Sequence, residues 1–294
     1  MIISASRRTD IPAYFSDWFL NRIKEGFVMT RNPRNPKQVR RIDLTPSDVD
    51  GIVFWTKNPM PLIKHLAELQ DYMYYFQFSI TPYGKDIEVN VPEKNTEIFS
   101  AFKELSNYIG PDRIIWRYDP ILINPKYTIE YHTRAFEKIA KELHSYTHKV
   151  IFSFIDVNYR GVKSNINILN LTEISTPMQE KLAATIAEIA RNYGLTIYAC
   201  AQELDLQKYG IQQGACVDSK LLEQLHGRSL NIKKDKNQRN NCSCASSVDI
   251  GVYNTCLNGC RYCYANYNSG IVAASHKRHD VMLPFLCSVY SHLT

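Results

Sequence analysis

Seven short runs rich in Ile, Val, Phe and Tyr recur along this chain, with amphipathic stretches between them. The runs are 2–6, 51–56, 73–80, 113–118, 149–155, 195–201 and 248–253. Most are apolar without alternation, which is how strands covered on both faces read. The stretches 14–24, 62–70, 93–108, 128–144, 177–192 and 219–225 read as helices. Thr176-Pro177 and Gly194 bracket one of them as start and stop signals. Such alternation constrains the chain to an α/β class with a parallel sheet. About seven units predict a (β/α) barrel, complete or partial. A doubly wound open sheet is the alternative, but neither G-x-G-x-x-G nor G-x4-G-K-[ST] occurs. Segment 27–44, with Asn-Pro twice at its centre, breaks the alternation and reads as a β-hairpin or lid.

The 294 residues suit one domain, 1–294, able to bury a core without disulfides. No apolar run approaches ~20 residues, so no membrane span is expected. The opening MIISASRRTD lacks the order basic region, apolar stretch, cleavage site. A cytoplasmic location is the expectation. In a reducing compartment, eight cysteines point to metal or redox chemistry.

Three of those cysteines stand as Cys256-Leu-Asn-Gly-Cys260-Arg-Tyr-Cys263, a C-x3-C-x2-C run. Ordinary cubane clusters take four cysteines. A compact triplet can hold three irons of a [4Fe–4S] cube and leave the fourth open for a substrate or cofactor. Zinc is the alternative, with Cys242 or Cys244 completing four thiolates, although zinc ribbons usually show two separated knuckles. The remaining candidates, Cys200, Cys216, Cys242 and Cys244, number enough for a second [4Fe–4S] cluster or a zinc ion. Cys200 can equally be a small apolar core residue.

The triplet resembles that of radical S-adenosylmethionine (SAM) enzymes. The whole chain resembles a bacterial family of unknown function whose members carry a C-terminal radical-SAM-like motif. The resemblance rests on SASRRTDIPAY at 4–14, VFWTKNP at 53–59, RYDPI at 117–121, the spaced Cys200 and Cys216, and the block CSCASSVDIGVYNTCLNGCRYCYAN at 242–266. It implies a cluster loop at about 242–266, SAM as second cofactor, and reductive cleavage of SAM to a 5′-deoxyadenosyl radical acting on an unknown substrate. An electron donor such as ferredoxin or flavodoxin is then implied as partner. Tyr262 matches the aromatic position that contacts adenine in that superfamily. The triplet usually follows the first strand, and here it follows the last. The resemblance therefore implies a circularly permuted barrel in which 248–253 pairs beside 2–6. SRRTD stands where those enzymes carry a glycine-rich acidic motif for the SAM amino group.

Barrel active sites lie at the C-terminal strand ends. Arg7, Arg8, Asp10, Lys57, Asn58, Tyr83, Arg117, Asp119, Asp156, Tyr159, Cys200 and Glu203 fall there. Of these, Arg7, Arg8, Asp10 and Asp119 are the candidates for cofactor binding. A guanidinium fork suits the SAM carboxylate, and an Asp can accept from ribose hydroxyls. Asp10 can also simply cap the helix that follows. Net charge is +6, with seven Lys or Arg against one Glu over 22–41 and five against one Asp over 228–239. Such runs are usually solvated, and nucleic acid is the functional alternative. A non-catalytic iron–sulfur or zinc protein that binds nucleic acid or transfers electrons is therefore the competing reading.

Overall fold

The computed structural model describes residues 1–202, 204–239 and 241–287. Ten strands form: β1 (Ile2–Ala5), β2 (Phe27–Asn32), β3 (Asn35–Asp43), β4 (Gly51–Thr56), β5 (Tyr74–Ser79), β6 (Ile114–Ile121), β7 (Lys149–Phe154), β8 (Thr196–Cys200), β9 (Gln212–Gly214) and β10 (Val248–Asp249). The helices are α1 (Ile11–Tyr14), α2 (Ser16–Glu25), α3 (Met60–Ile63), α4 (Phe99–Ile109), α5 (Ile129–Leu143), α6 (Arg160–Ser164), α7 (Ile166–Leu169), α8 (Thr176–Asn192), α9 (Ser219–His226) and α10 (Ser269–Lys277). Short caps fix their starts. Thr128 accepts from the Tyr131 amide ahead of α5, Asp218 from Leu221 ahead of α9, and Asn268 from Ile271 ahead of α10. None of the described helices is long and apolar enough to cross a membrane.

Eight strands make one parallel sheet in the order β10-β1-β4-β5-β6-β7-β8-β9, while β2 and β3 form a separate antiparallel ribbon. Val248 pairs beside Ile3 and Asp249 beside Ser4, so the last strand does join the first. The expected (β/α) barrel is corrected here: the sheet is open, and among the described residues its two edge strands β9 and β10 share no ladder. They are three and two residues long. The chain between them is mostly irregular and cysteine-bearing, and it meets itself through isolated bonds such as Ala245 N–H to the Val217 carbonyl at 2.9 Å. The predicted strand 248–253 is cut to two residues because the chain turns at once into the cysteine loop. The doubly wound alternative does not describe the sheet either, since the strand order runs through it without reversal.

Because strand side chains alternate, the sheet has two unlike faces. One face is apolar along its length. Phe54, Phe76, Trp116 and Phe152 lie there, packed by Phe19 of α2, Phe136 of α5 and Leu182 and Ile186 of α8. The other face is tiered. Its lower tier is Ile2, Val53, Tyr75, Ile115 and Ile151, covered by Val217 and by Leu221 and Leu222 of α9. That approach is close: a Cβ at Gly51 would lie 2.5 Å from a Leu222 methyl. Towards the C-terminal strand ends the same face turns polar, with Ser4, Trp55, Gln77, Ser79, Arg117, Asp119, Ser153 and Cys200. A buried parallel strand has no reason to carry Gln77 or Arg117 unless each finds a partner.

Candidate functional site

The triplet loop lies between β10 and α10, and two asparagines staple it. Asn254 adopts a left-handed conformation (φ 55°), and its Oδ1 accepts from the Tyr267 and Asn268 amides at 2.9 and 3.1 Å. Asn266 Oδ1 accepts from the Thr255 and Cys256 amides at 2.7 and 2.8 Å. Its Nδ2 donates to the Arg8 carbonyl at 3.0 Å and faces Cys263 Sγ at 3.7 Å. The loop docks on the segment after β5. The Arg261 amide donates to Ile87 O and the Asn90 amide to Asn258 O, while Cys260 bridges Glu88. Gly161 at the start of α6 fits against it without a side chain, since a Cβ there would stand 2.1 Å from Cys263 O.

Beneath the triplet lies a buried ion centre. Glu88, 1 % exposed, receives Lys57 Nζ at 2.7 Å, Lys94 Nζ at 2.5 Å and the Thr81 hydroxyl at 2.7 Å. The Tyr262 hydroxyl also donates to it. Burial alone would raise the Glu88 carboxyl, but Lys57 and Lys94 override it and hold it at about 2. Two lysines against one carboxylate leave positive charge beside Cys260, whose thiol is pushed up by burial. Cys256 is pushed up well beyond the ordinary thiol range, again chiefly by burial, then by Asp10 and the neighbouring thiols. Half-buried thiols next to spare cationic charge suit ligands that ionise when a cation arrives.

Asp10 caps α1 through the Ala13 amide at 3.1 Å, and its other oxygen accepts from the Lys57 amide at 2.8 Å and Asn258 Nδ2 at 3.0 Å. It therefore ties α1, the end of β4 and the cysteine loop together. Burial lifts its carboxyl to about 6. Arg8 donates to Gly251 O at 3.2 Å and lies over the Tyr253 ring. The Tyr262 ring packs edgewise on Tyr83 at 5.8 Å.

The second sulfur set gathers on the tiered face. Cys200 Sγ and Cys216 Sγ are 3.2 Å apart. The Cys216 and Val217 amides donate to Cys244 Sγ at 3.2 and 3.5 Å. Cys242 and Cys244 are buried in the same cluster as Cys200 and Cys216. Arg117, 5 % exposed, donates from Nη1 to Cys216 Sγ at 2.9 Å and pairs through Nη2 with Asp119, which also accepts from Ser153. Gln77 and Tyr75 donate to the Cys216 carbonyl at 2.9 and 2.7 Å. Arg7 lies within electrostatic range of Cys216 and Cys244, and its carbonyl accepts from the Tyr264 hydroxyl at 2.7 Å. Arg239 lies within electrostatic range of Cys200 and Cys242 and pairs with Asp156 at 3.6 Å. Arg7 and Tyr264 thus link the quartet to the triplet loop.

All seven candidate cysteines are unpaired. Among the described residues no three His, Cys, Asp or Glu side chains yet enclose an ion-sized point. The residue types nonetheless fit sulfur-ligated metal: thiols in two sets, with cations and amide donors aimed at them. Glu203 lies outside the described residues. Sequence reasoning missed Glu88, Thr81 and Lys94, which show no motif. Asn266 stood inside the recognised block without a role. The basic run 22–41 spreads over α2 and the β2–β3 ribbon, where Arg41 lies over the Phe27 ring and the buried Arg22 donates to Met282 O. It does not reach the cysteines as a patch.

Residues 2–265 match a family described as Domain of unknown function (DUF1848). No curated protein and no solved structure matches the chain.

Proposed function

Since the chain belongs to the DUF1848 family, whose description names no activity, we propose from its residues that it is a radical SAM enzyme. Cys256, Cys260 and Cys263 would hold a [4Fe–4S] cluster with one iron left open. The observation that carries this reading is a three-thiol loop, with no hydrogen bond to a fourth cysteine among the described residues, seated on a net-positive Glu88–Lys57–Lys94 centre. When bound, the cluster supplies one electron that breaks a carbon–sulfur bond of SAM, giving methionine and a 5′-deoxyadenosyl radical that takes a hydrogen atom from substrate.

The protein's part is to bind, orient and shield. Asn266 holds both ends of the loop by its Oδ1 and Nδ2 contacts. Lys57 and Lys94 offset the thiolate charge beside Cys260. Glu88 keeps those lysines fixed and orients the Tyr262 ring, against which an adenine would stack. Both oxygens of Asp10 are occupied, so it acts as a brace for the loop. Arg7 and Arg8, at the end of β1, remain the candidates for the SAM carboxylate. Electrons would come from a small reductase partner of the ferredoxin or flavodoxin class.

The test is anaerobic reconstitution with iron and sulfide, reduction with dithionite, addition of SAM and assay for 5′-deoxyadenosine. Wild type yields product, and Cys260→Ala yields none. A filled, reducible cluster that leaves SAM intact would overturn the reading and favour an electron-transfer or metal-stabilised binding protein.

A further inference from the structure

The geometry points to a second, independent metal site: Cys200, Cys216, Cys242 and Cys244 form a tetrathiolate centre for one zinc-class divalent ion. Spacing separates this set from the triplet. Four sulfurs bound at ~2.3 Å to one tetrahedral ion stand ~3.8 Å from each other. Cys200 and Cys216 are 3.2 Å apart, the Cys216 amide reaches Cys244 Sγ at 3.2 Å, and all four cysteines are buried in one cluster. A cubane holds its thiolates at wider corners. Among the described residues no thiol–thiol hydrogen bond joins Cys256, Cys260 and Cys263, while Cys200 and Cys216 are in direct sulfur contact and share a buried cluster with Cys242 and Cys244. Cys242 lies within electrostatic range of Cys200 and Cys216, so an ion need only draw the set in.

Charge agrees. Four thiolates around a divalent ion carry two negative charges, and three guanidiniums lie within electrostatic range of the set. Arg117 donates to Cys216 Sγ directly, with Arg7 and Arg239 close by. A buried guanidinium aimed at a neutral thiol gains little, whereas against a metal-bound thiolate it makes a charge-assisted bond. The Cys216 and Val217 amides on Cys244 Sγ are the same kind of donor. Position gives the site a purpose. Cys200 ends β8, Cys216 follows β9, and Cys242 and Cys244 precede β10. An ion there fastens the two unpaired edges of the sheet, where no ladder does so. This inference stands apart from the SAM reading, because it concerns other cysteines and another metal.

The experiment is metal analysis of the full chain purified anaerobically, with X-ray absorption at the zinc edge. About one zinc per chain is expected, bound by four sulfurs at ~2.3 Å. Cys216→Ser and Cys242→Ser should each lose that zinc and keep the iron of the triplet, and Cys260→Ala should do the reverse. Loss of iron rather than zinc from the quartet variants would overturn the single-ion site in favour of a second iron–sulfur cluster. No loss of any metal would overturn a centre altogether. If the variants fail to fold, the wild-type zinc edge decides: zinc absent, or without four sulfurs, overturns the proposal. Failure of 5′-deoxyadenosine formation leaves all these readouts unchanged.

Discussion

Asn266 shows how much one side chain can hold. Its Oδ1 serves two amides at the entry to the cysteine loop, and its Nδ2 ties the exit to β1 through Arg8 O. Asn266→Ala strands the Thr255 and Cys256 N–H groups, and each buried unpaired donor costs about 1–3 kcal/mol. We expect a loss of at least ~2 kcal/mol in urea denaturation and a clear fall in iron per chain. Asn266→Asp keeps the acceptor and should recover most of both. His132 supplies the residue-scale pH dependence. It is fully buried, with Nε2 against Leu122 O at 2.9 Å and Nδ1 against the Tyr118 hydroxyl at 2.8 Å. The carbonyl must face the ring N–H, so Nδ1 accepts from the tyrosine, and the ring is held neutral. Burial lowers its pKa from 6.5 to about 4. The unfolded chain therefore binds this proton at higher pH than the folded one. Its contribution is complete above pH ~6.5 and is lost as pH falls towards 4, by ~3 kcal/mol in all. Melting curves from pH 7 to 4 check this. His132→Asn should flatten that part of the profile, and an unchanged slope would refute the assignment.

At the scale of elements, the cysteine loop depends on how closely its neighbours approach. The start of α6 presses on Cys263 O through Gly161, and the chain just past β10 meets Ser6 at Gly251, where a Cβ would also meet an atom at 2.1 Å. Gly161→Ala must push the loop or α6 aside, an overpacking cost of ~1–3 kcal/mol. The expected result is a lower thermal midpoint with reduced cluster loading on reconstitution. Unchanged loading would show that α6 can yield freely. The short helices near the site, α1 and α6, have little stability of their own. Asp10 and Asn165 hold them by linking them to the loop, Asn165 through Arg261 O at 2.8 Å.

Over the whole molecule, stability is centred on β5 and β6, flanked by three strands on each side, and it thins towards the two edges. Phe76 is fully buried and stacks on Phe54 at 4.7 Å. Phe76→Ala should cost ~3–5 kcal/mol, as large core truncations do. Val248→Ala on the half-buried edge strand β10 should cost far less. Comparable denaturation midpoints for the two would contradict the graded sheet. The tiered face follows the same plan: apolar where α9 covers it, polar where the strands end and the two sulfur sets converge.

The alternation of apolar runs with amphipathic stretches determined the parallel α/β class, because strand and helix periods are local properties of the chain. The triplet spacing and the strand-end placement of Arg7, Arg117, Asp119 and Cys200 were legible for the same reason. The pairing of 248–253 beside 2–6 was implied by the resemblance, and Val248 and Asp249 make it. Only the tertiary structure decided that the sheet stays open, since closure depends on whether two distant edges find a ladder, and nothing in the residues of β9 or β10 states that. It alone brought Glu88, Lys94 and Thr81 under Cys260 and Tyr262, and Arg117 onto Cys216, 99 residues away. Contacts across such separations are set by packing of the whole sheet, which local patterns do not encode.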